Sequence, residues 1–91
     1  ATFKDGALEA LRPAMEAMIA ASRAEPGCID YRYGLDVSAP NEMVVVEYWE
    51  DWAALEAHFE TPHMADWRAA LAGVVVSRDI KACEAGPVKA L

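Results

Sequence analysis

The chain has 91 residues, 55% of them hydrophobic, and its 15 acidic residues outnumber its 8 basic ones to give a net charge of −7. This length fits one domain, residues 1–91, and the composition is that of a folded chain rather than a disordered one. No apolar run reaches the roughly 18 residues that cross a membrane, and the negative charge disfavours nucleic acid and anionic membranes as partners.

The chain has two cysteines, Cys28 and Cys83. A disulfide framework uses an even cluster of four or more cysteines, and thiol redox or zinc motifs use closely spaced pairs, so this sequence matches neither pattern. We therefore predict two free thiols in a reducing compartment. No segment resembles a signal peptide, and the expected localisation is cytoplasmic.

The first part of the chain predicts a short strand and a long helix. Thr2-Phe3 has strand composition and precedes a turn, so we expect the end of a first strand that is incomplete at the N-terminus. Residues 7–24 carry an apolar stripe at helical spacing, and Glu25-Pro26-Gly27 ends the helix. Pro13 lacks a backbone donor and predicts a kink or a later helix start. The stripe consists of Leu8, Leu11, Met15, Met18, Ile19 and Ser22.

The rest of the chain predicts a hairpin, two short helices and a last strand. Residues 28–37 alternate in polarity, and a turn at residues 38–41 joins them to a second strand at residues 43–49. Asp51 and Thr61 are N-cap signals for two helices that extend to residue 71, and residues 74–85 predict the final strand. The apolar face of the first hairpin strand is expected to contain Ile29, Tyr31, Tyr33, Leu35 and Val37.

This order of elements is that of a ferredoxin-like α+β fold, a split βαβ unit with βαββαβ order. Right-handed crossovers give an antiparallel four-stranded sheet in the spatial order 4-1-3-2 with helices on one face only. The opposite face, which carries Val44, Val46 and Tyr48, then has no cover. We therefore predict a homodimer that packs sheet against sheet.

Three segments in this order carry a resemblance to a known family: Glu25-Pro26-Gly27-Cys28, residues 46–50 (V-E-Y-W-E) and residues 55–64 (L-E-A-H-F-E-T-P-H-M). Together they resemble the antibiotic biosynthesis monooxygenases, a family of dimeric α/β-barrel proteins, with the greatest similarity to bacterial quinol monooxygenases. Members of this family oxygenate electron-rich phenols with no metal, flavin or haem. The resemblance therefore implies that no cofactor is needed, because a deprotonated quinol can pass an electron to O₂ directly.

The resemblance carries over to single residues unevenly. Trp49 matches a strand-end Trp of the family, and Arg68 matches an Arg of an antibiotic-pathway monooxygenase, whose pocket Asn and Tyr fall on Val45 and Leu55 here. In haem-degrading relatives the iron-ligating His falls near Arg68. Because Arg cannot ligate iron, haem degradation is not the expected activity.

The candidate catalytic residues are His58 and Arg68. His58 shares an apolar helix face with Leu55 and Phe59 and is either a structural histidine or a proton acceptor. Arg68 would stabilise a developing oxyanion. The predicted substrate-binding residues, each of which can instead be plain core, are Trp49, Trp67, Tyr33, Glu47 and Met64.

Three further assignments complete the predicted site. His63 is expected to lie at the surface or to cap a helix, and Glu25, with Glu9 and Glu16, is expected on a solvated helix face. Glu47 is expected to be paired with backbone donors or Arg68, because a buried unpaired charge is costly. We predict no metal site, since the five-residue spacing of the two histidines crosses Pro62 and does not place both rings on one helical face.

The predicted function is cofactor-independent oxidation of a small quinol or polycyclic phenol with O₂. Two alternatives remain open. One is an isomerase or proton shuttle that acts on a small carbonyl compound without oxygen. The other is a non-catalytic dimeric ligand-binding or stress protein, since a fold does not fix a function.

Overall fold

The computed structural model describes residues 1–91 as four strands and four helices. In chain order they are β1 (Thr2–Phe3), α1 (Ala7–Ala10), α2 (Arg12–Arg23), β2 (Cys28–Leu35), β3 (Met43–Trp49), α3 (Trp52–Phe59), α4 (Pro62–Leu71) and β4 (Val75–Ser77). No helix combines the length and the apolar character that crossing a membrane requires.

The strands have the predicted order, β4-β1-β3-β2. β2 and β3 form an antiparallel hairpin, and β1 pairs antiparallel with β4. β1 meets the hairpin through one isolated bridge, Thr2 opposite Glu42, which the Phe3 amide and the Met43 amide flank by donating to the Asn41 carbonyl at 2.8 Å and the Ala1 carbonyl at 2.9 Å.

The predicted long helix is two helices that meet at Leu11. Pro13 falls in the first turn of α2, where its missing amide proton costs nothing, so the chain breaks before it rather than bending around it. The predicted apolar stripe forms the centre of the core. Its members Leu8, Leu11, Met15, Met18 and Ser22 are buried together with Phe3, Tyr31, Met43 and Trp67.

The register of the hairpin corrects one prediction about β2. Cys28 pairs with Trp49 and Asp30 pairs with Tyr48, so Ile29 is an extra residue in a β-bulge. The bulge shifts the alternation by one position. Ile29 is consequently 66% exposed instead of lying beside Tyr31 on the apolar face.

The last strand is also shorter than predicted. β4 ends at Ser77, and residues 78–91 are exposed and have no regular secondary structure. Apolar side chains in this segment, such as Ile80 at 78% exposure, find no surface to pack on. The charged residues around them and Gly86-Pro87 do not alternate in the way that a half-buried strand requires.

The two faces of the hairpin differ in cover. Val44, Val46 and Tyr48 lie on the face away from the helices and are 42–51% exposed. On the helix-facing side, Met43 is buried but Val45 remains 39% exposed. The helices therefore leave part of their own side of β3 open, between the core and Trp49.

Candidate active site

The centre of the candidate site is His58, near the end of α3. The Asp51 carboxylate caps this helix by accepting a hydrogen bond from the Ala54 amide at 2.8 Å, which fixes where α3 begins. One face of α3 then turns toward β3, and His58 lies on it with 1% exposure. An imidazole so enclosed needs polar partners within the protein.

Glu25 supplies the first of these partners. Its carboxylate oxygen Oε2 lies 2.6 Å from Nδ1 of His58 and 2.8 Å from Nε2 of His63. A carboxylate can only accept, so both ring nitrogens donate. When His58 is neutral, its single N–H is therefore at Nδ1, and Nε2 carries a free lone pair.

The free nitrogen of His58 faces β3. Its Nε2 lies 4.0 Å from Oε1 of Glu47, which is too long for a direct hydrogen bond. The same oxygen of Glu47 accepts a hydrogen bond from the Trp49 indole N–H at 3.0 Å. The Trp49 and His58 rings lie 4.8 Å apart between centroids, so Glu47 and Trp49 form the wall that a molecule reaching Nε2 must contact.

Two tyrosines lie beside this group. The ring of Tyr31 meets His58 edge-on at 5.5 Å, and its hydroxyl lies 2.8 Å from that of Tyr33. Burial raises the pKa of Tyr31 to about 12. Burial and the hydrogen bond with Tyr31 both raise the pKa of Tyr33. Both phenols are therefore neutral at neutral pH, and neither can serve there as a proton acceptor.

The structure brings some of the predicted site residues together and separates others. Trp49, Glu47 and His58 are in mutual contact or within 4.0 Å of one another. Tyr33 packs instead on Trp67, with centroids 5.4 Å apart, and Met64 is half-buried against the core. These three residues lie on the core side of the site.

Arg68 lies apart from His58. Its side chain is exposed, and its guanidinium donates to the Phe59 carbonyl at 3.2 Å, where it satisfies an end carbonyl of α3. Arg68 makes no hydrogen bond or ion pair with Glu47, so the predicted pairing of these residues is wrong. The indole of Trp49 is the donor to Glu47 instead.

The sequence did not predict Glu25 as a site residue, and it predicted His63 at the surface or at a helix cap rather than in the site. Glu25 was expected on a solvated helix face, yet its side chain is 10% exposed and holds both histidines. The feature that could have revealed Glu25 is the register of the hairpin. Because Cys28 pairs with the strand-end Trp49, the turn before it must lie beside the place where α3 begins.

Two cavities lie next to the site. One of about 440 Å³ lies between α2 and β2 and includes Arg23, Arg32 and Tyr33 in its lining. Another of about 110 Å³ lies between α2 and α4 against His63 and Trp67. Neither cavity includes His58 in its lining, and the β3 side chains that approach His58 are Glu47 and Trp49.

Glu25, His58 and His63 are also the residues that could hold a metal ion, with ligand atoms within 4.8 Å of one another. The fold thus brings the rings of His58 and His63 together, although their spacing across Pro62 does not place them on one helical face. Their present geometry fits hydrogen bonds better. Nδ1 of His58 and Oε2 of Glu25 lie 2.6 Å apart. If a metal ion lay about 2.0–2.1 Å from both atoms, the angle at the ion between its two bonds would be about 80°, far below the tetrahedral value.

The fold and this site define a ferredoxin-like α+β protein with a histidine–carboxylate pair between sheet and helices. Residues 1–70 match the family model of antibiotic biosynthesis monooxygenases, so the chain belongs to that family, as its motifs predicted. The chain is 36% identical over 70 residues to the probable quinol monooxygenase YgiN of Escherichia coli, a match that covers 68% of this chain and 67% of that one.

Two further relatives support this placement. An uncharacterized protein of Synechocystis is 38% identical over 52 residues, which are 57% of this chain but only 35% of that protein's length. The crystal structure of PA3566 from Pseudomonas aeruginosa superposes with a TM-score of 0.76 at 33% identity, over 84% of this chain and 77% of that one. The predicted ferredoxin-like fold is therefore confirmed.

Proposed function

We propose that this protein oxidises a small quinol or polycyclic phenol with O₂ and without a cofactor, with His58 as the proton acceptor. The observation that supports this most is the bond from Nδ1 of His58 to Glu25 at 2.6 Å. It leaves Nε2 as the basic nitrogen, on the side of the ring that faces Glu47 and Trp49 of β3. A carboxylate that fixes one tautomer of a histidine is a recurring way to prepare a general base.

In the proposed reaction the substrate lies against Trp49 and Glu47. Nε2 of His58 removes a phenolic proton, and the electron-rich anion then gives one electron to O₂. Recombination of the two radicals forms a C–O bond. His58 returns its proton to the peroxide oxygen, and loss of the ring C–H proton with cleavage of the O–O bond then releases hydroxide, which this ring proton converts to water. Quinol and O₂ thus give hydroxyquinone and water with atoms, protons and electrons balanced.

The side chains around Nε2 suit this chemistry. The partly exposed ring of Trp49, 4.8 Å from the His58 ring between centroids, offers a face on which a flat phenol can stack. Arg68 was predicted to stabilise the oxyanion. Because it is exposed and bonded to the Phe59 carbonyl, our proposal gives this role to the indole N–H of Trp49, which can turn from Glu47 to the substrate.

We also propose that two chains form a homodimer through the outer face of the sheet. The support is the exposed apolar row Val44, Val46 and Tyr48, on a face that no element of this chain covers. Contiguous apolar surface of this kind marks an interaction site more often than a free surface. A two-fold pairing would cover the same row in both copies at once.

The test of the reaction is oxygen uptake by protein treated with a chelator, measured with a panel of naphthoquinols. We expect turnover by the wild type and a loss of about 100-fold or more in kcat for His58→Ala. Glu56→Gln, a change of an exposed carboxylate on the same helix, should keep wild-type kcat. No oxygen uptake with any quinol would contradict the proposal.

The same assay distinguishes the alternatives. Conversion of a small carbonyl compound at an unchanged rate under nitrogen would favour the isomerase or proton shuttle. Binding of a quinol without turnover, weakened equally by His58→Ala and by a change at Trp49, would favour a non-catalytic binding protein.

A further inference from the structure

The larger of the two cavities, between α2 and β2, has features of a ligand site that the proposed function does not use. Its volume is about 440 Å³, and Arg23, Arg32 and Tyr33 contribute to its lining. Small-molecule sites in proteins have volumes of about 300–1,000 Å³. Neither His58 nor Trp49 lines this cavity, so a ligand there would be bound apart from the candidate active site.

Arg23 presents an oriented guanidinium whose charge is unpaired. It is the last residue of α2, and its Nε donates to the Tyr31 carbonyl of β2 at 3.0 Å. This bond fixes the base of the guanidinium, while the two terminal nitrogens make no hydrogen bond or ion pair within the chain. These terminal N–H groups are therefore available to an anion from outside the protein.

Arg32 supplies a second guanidinium to the same cavity. Its Nε donates to Oδ2 of Asp30 at 2.7 Å, and its terminal nitrogens make no further hydrogen bond within the chain. Both arginines are thus held at Nε and leave their outer N–H groups free. A guanidinium uses such N–H groups to bind a carboxylate in a planar, paired arrangement.

The carboxylates near the cavity already have partners. Glu16, which belongs to the lining, pairs with Arg12 at 3.2 Å, and Asp30 pairs with Arg32. Three arginines and two carboxylates therefore leave one positive charge here, that of Arg23, although the whole chain has a net charge of −7. This part of the surface consequently favours an anion over a cation.

The remaining wall of the cavity is apolar. Ile19 and the ring of Tyr33 are half-buried there, beside Ala20. We propose that this cavity binds a small aromatic carboxylate. The carboxylate lies between Arg23 and Arg32, and the aromatic ring packs on Ile19 and Tyr33.

The alternative is that Arg23 only fastens the end of α2 to β2. Organic anions would then respond to the net charge of the protein and not to this cavity. Arg78 provides the comparison, because it is exposed, makes no ion pair and follows β4, at the opposite edge of the sheet from β2. Arg78→Gln changes the net charge by the same amount as Arg23→Gln or Arg32→Gln.

Isothermal titration calorimetry of the full chain with 2-naphthoate tests the proposal, with 2-naphthalenemethanol as the uncharged control ligand. We expect Arg23→Gln and Arg32→Gln each to weaken naphthoate binding about tenfold, since each removes charge-assisted hydrogen bonds. Arg78→Gln should keep the wild-type affinity, and the alcohol should bind the wild type at least about tenfold more weakly. Equal weakening by Arg78→Gln, equal binding of the alcohol, or no binding of millimolar naphthoate would overturn the proposal.

A second measurement locates the ligand. In ¹H–¹⁵N NMR spectra, added 2-naphthoate should shift the amide signals of residues 19–23 and 31–33, and shifts confined to Glu47, Trp49 and His58 would contradict this site. Arg32→Gln keeps the test decisive if Arg23→Gln does not fold, because the Arg32 side chain is 70% exposed. Neither measurement needs turnover, so the result is independent of whether the protein consumes O₂.

Discussion

Glu25 and His58 are 33 residues apart in the chain, yet their side chains meet at 2.6 Å. Glu25 ends the segment that follows α2, and His58 lies near the end of α3, so the hairpin between them determines whether they meet. The pairing of Cys28 with Trp49 sets that distance by placing the start of β2 beside the end of β3. The geometry of this histidine–carboxylate pair is thus a consequence of strand register.

Replacing Glu25 should affect both stability and activity. In Glu25→Ala the Nδ1 proton of His58 loses its acceptor inside the protein, which costs about 1–3 kcal/mol of unfolding free energy. In Glu25→Gln the amide oxygen can still accept one hydrogen bond but carries no negative charge to stabilise the protonated ring of His58. We expect this variant to retain more stability than Glu25→Ala and yet to lose roughly tenfold or more in kcat.

Urea denaturation and oxygen uptake measure these two effects. Glu9→Gln is the matched control, because Glu9 is exposed on α1 and belongs to the same predicted acidic face. It should change neither quantity. Equal stability of Glu25→Ala and Glu9→Gln would show that the carboxylate does not hold His58.

Gly27 is required by the turn that carries Glu25. Its φ is +82°, and an added Cβ would lie 2.7 Å from the Cβ of Ala54 on α3. Gly27→Ala should therefore lower the unfolding free energy by roughly 2–4 kcal/mol, through both backbone strain and overlap. Gly34→Ala, where an added Cβ meets nothing within 4 Å, should cost far less. A similar loss in both variants, measured in urea, would show that the turn tolerates a side chain.

The fold could be predicted from the sequence because the type of most helices and strands is indicated by their own residues. Residues close together in the chain indicate each of these elements. The examples are the helix caps Asp51 and Thr61, the apolar stripe on α1 and α2, and the run Val44-Val45-Val46. Two features that the sequence did not predict are the bulge at Ile29 and the early end of β4. Both depend on partners across a strand pair, and such partners cannot be seen in one segment at a time.

The site was harder to predict because it depends on distant contacts. His58 and Trp49 were found as candidates since each lies in a recognisable motif. Glu25 looked like any other acid of the first helix, and its burial arises only after the turn closes against α3. Arg68 shows the opposite error, because an expected catalytic group is exposed and satisfies a backbone carbonyl.

Stability at high pH should report on Tyr31. Burial raises the pKa of Tyr31 from 10.0 to about 12, so the folded protein holds the phenolic proton more tightly than the unfolded chain does. This contribution is fully present below pH 10 and is lost as the pH rises through about 12. The unfolding free energy of the wild type should fall across that window.

Urea denaturation at several pH values measures this fall. Tyr31→Phe removes the ionising group and should show a smaller decrease, with the remainder coming from Tyr33, whose pKa is also raised. An identical decrease in Tyr31→Phe and the wild type would contradict the assignment.

The outer face of the sheet gives the last prediction. If two copies pack there, a charge at Val46 would be buried without a partner, and Val46→Glu should weaken the dimer roughly 100-fold or more. Val37→Glu is the control, because Val37 is fully exposed in the loop between β2 and β3. Sedimentation velocity over a range of concentrations should show dimers for the wild type and Val37→Glu and monomers for Val46→Glu. A wild type that stays monomeric at every concentration would exclude this interface, and the apolar row would then need another partner.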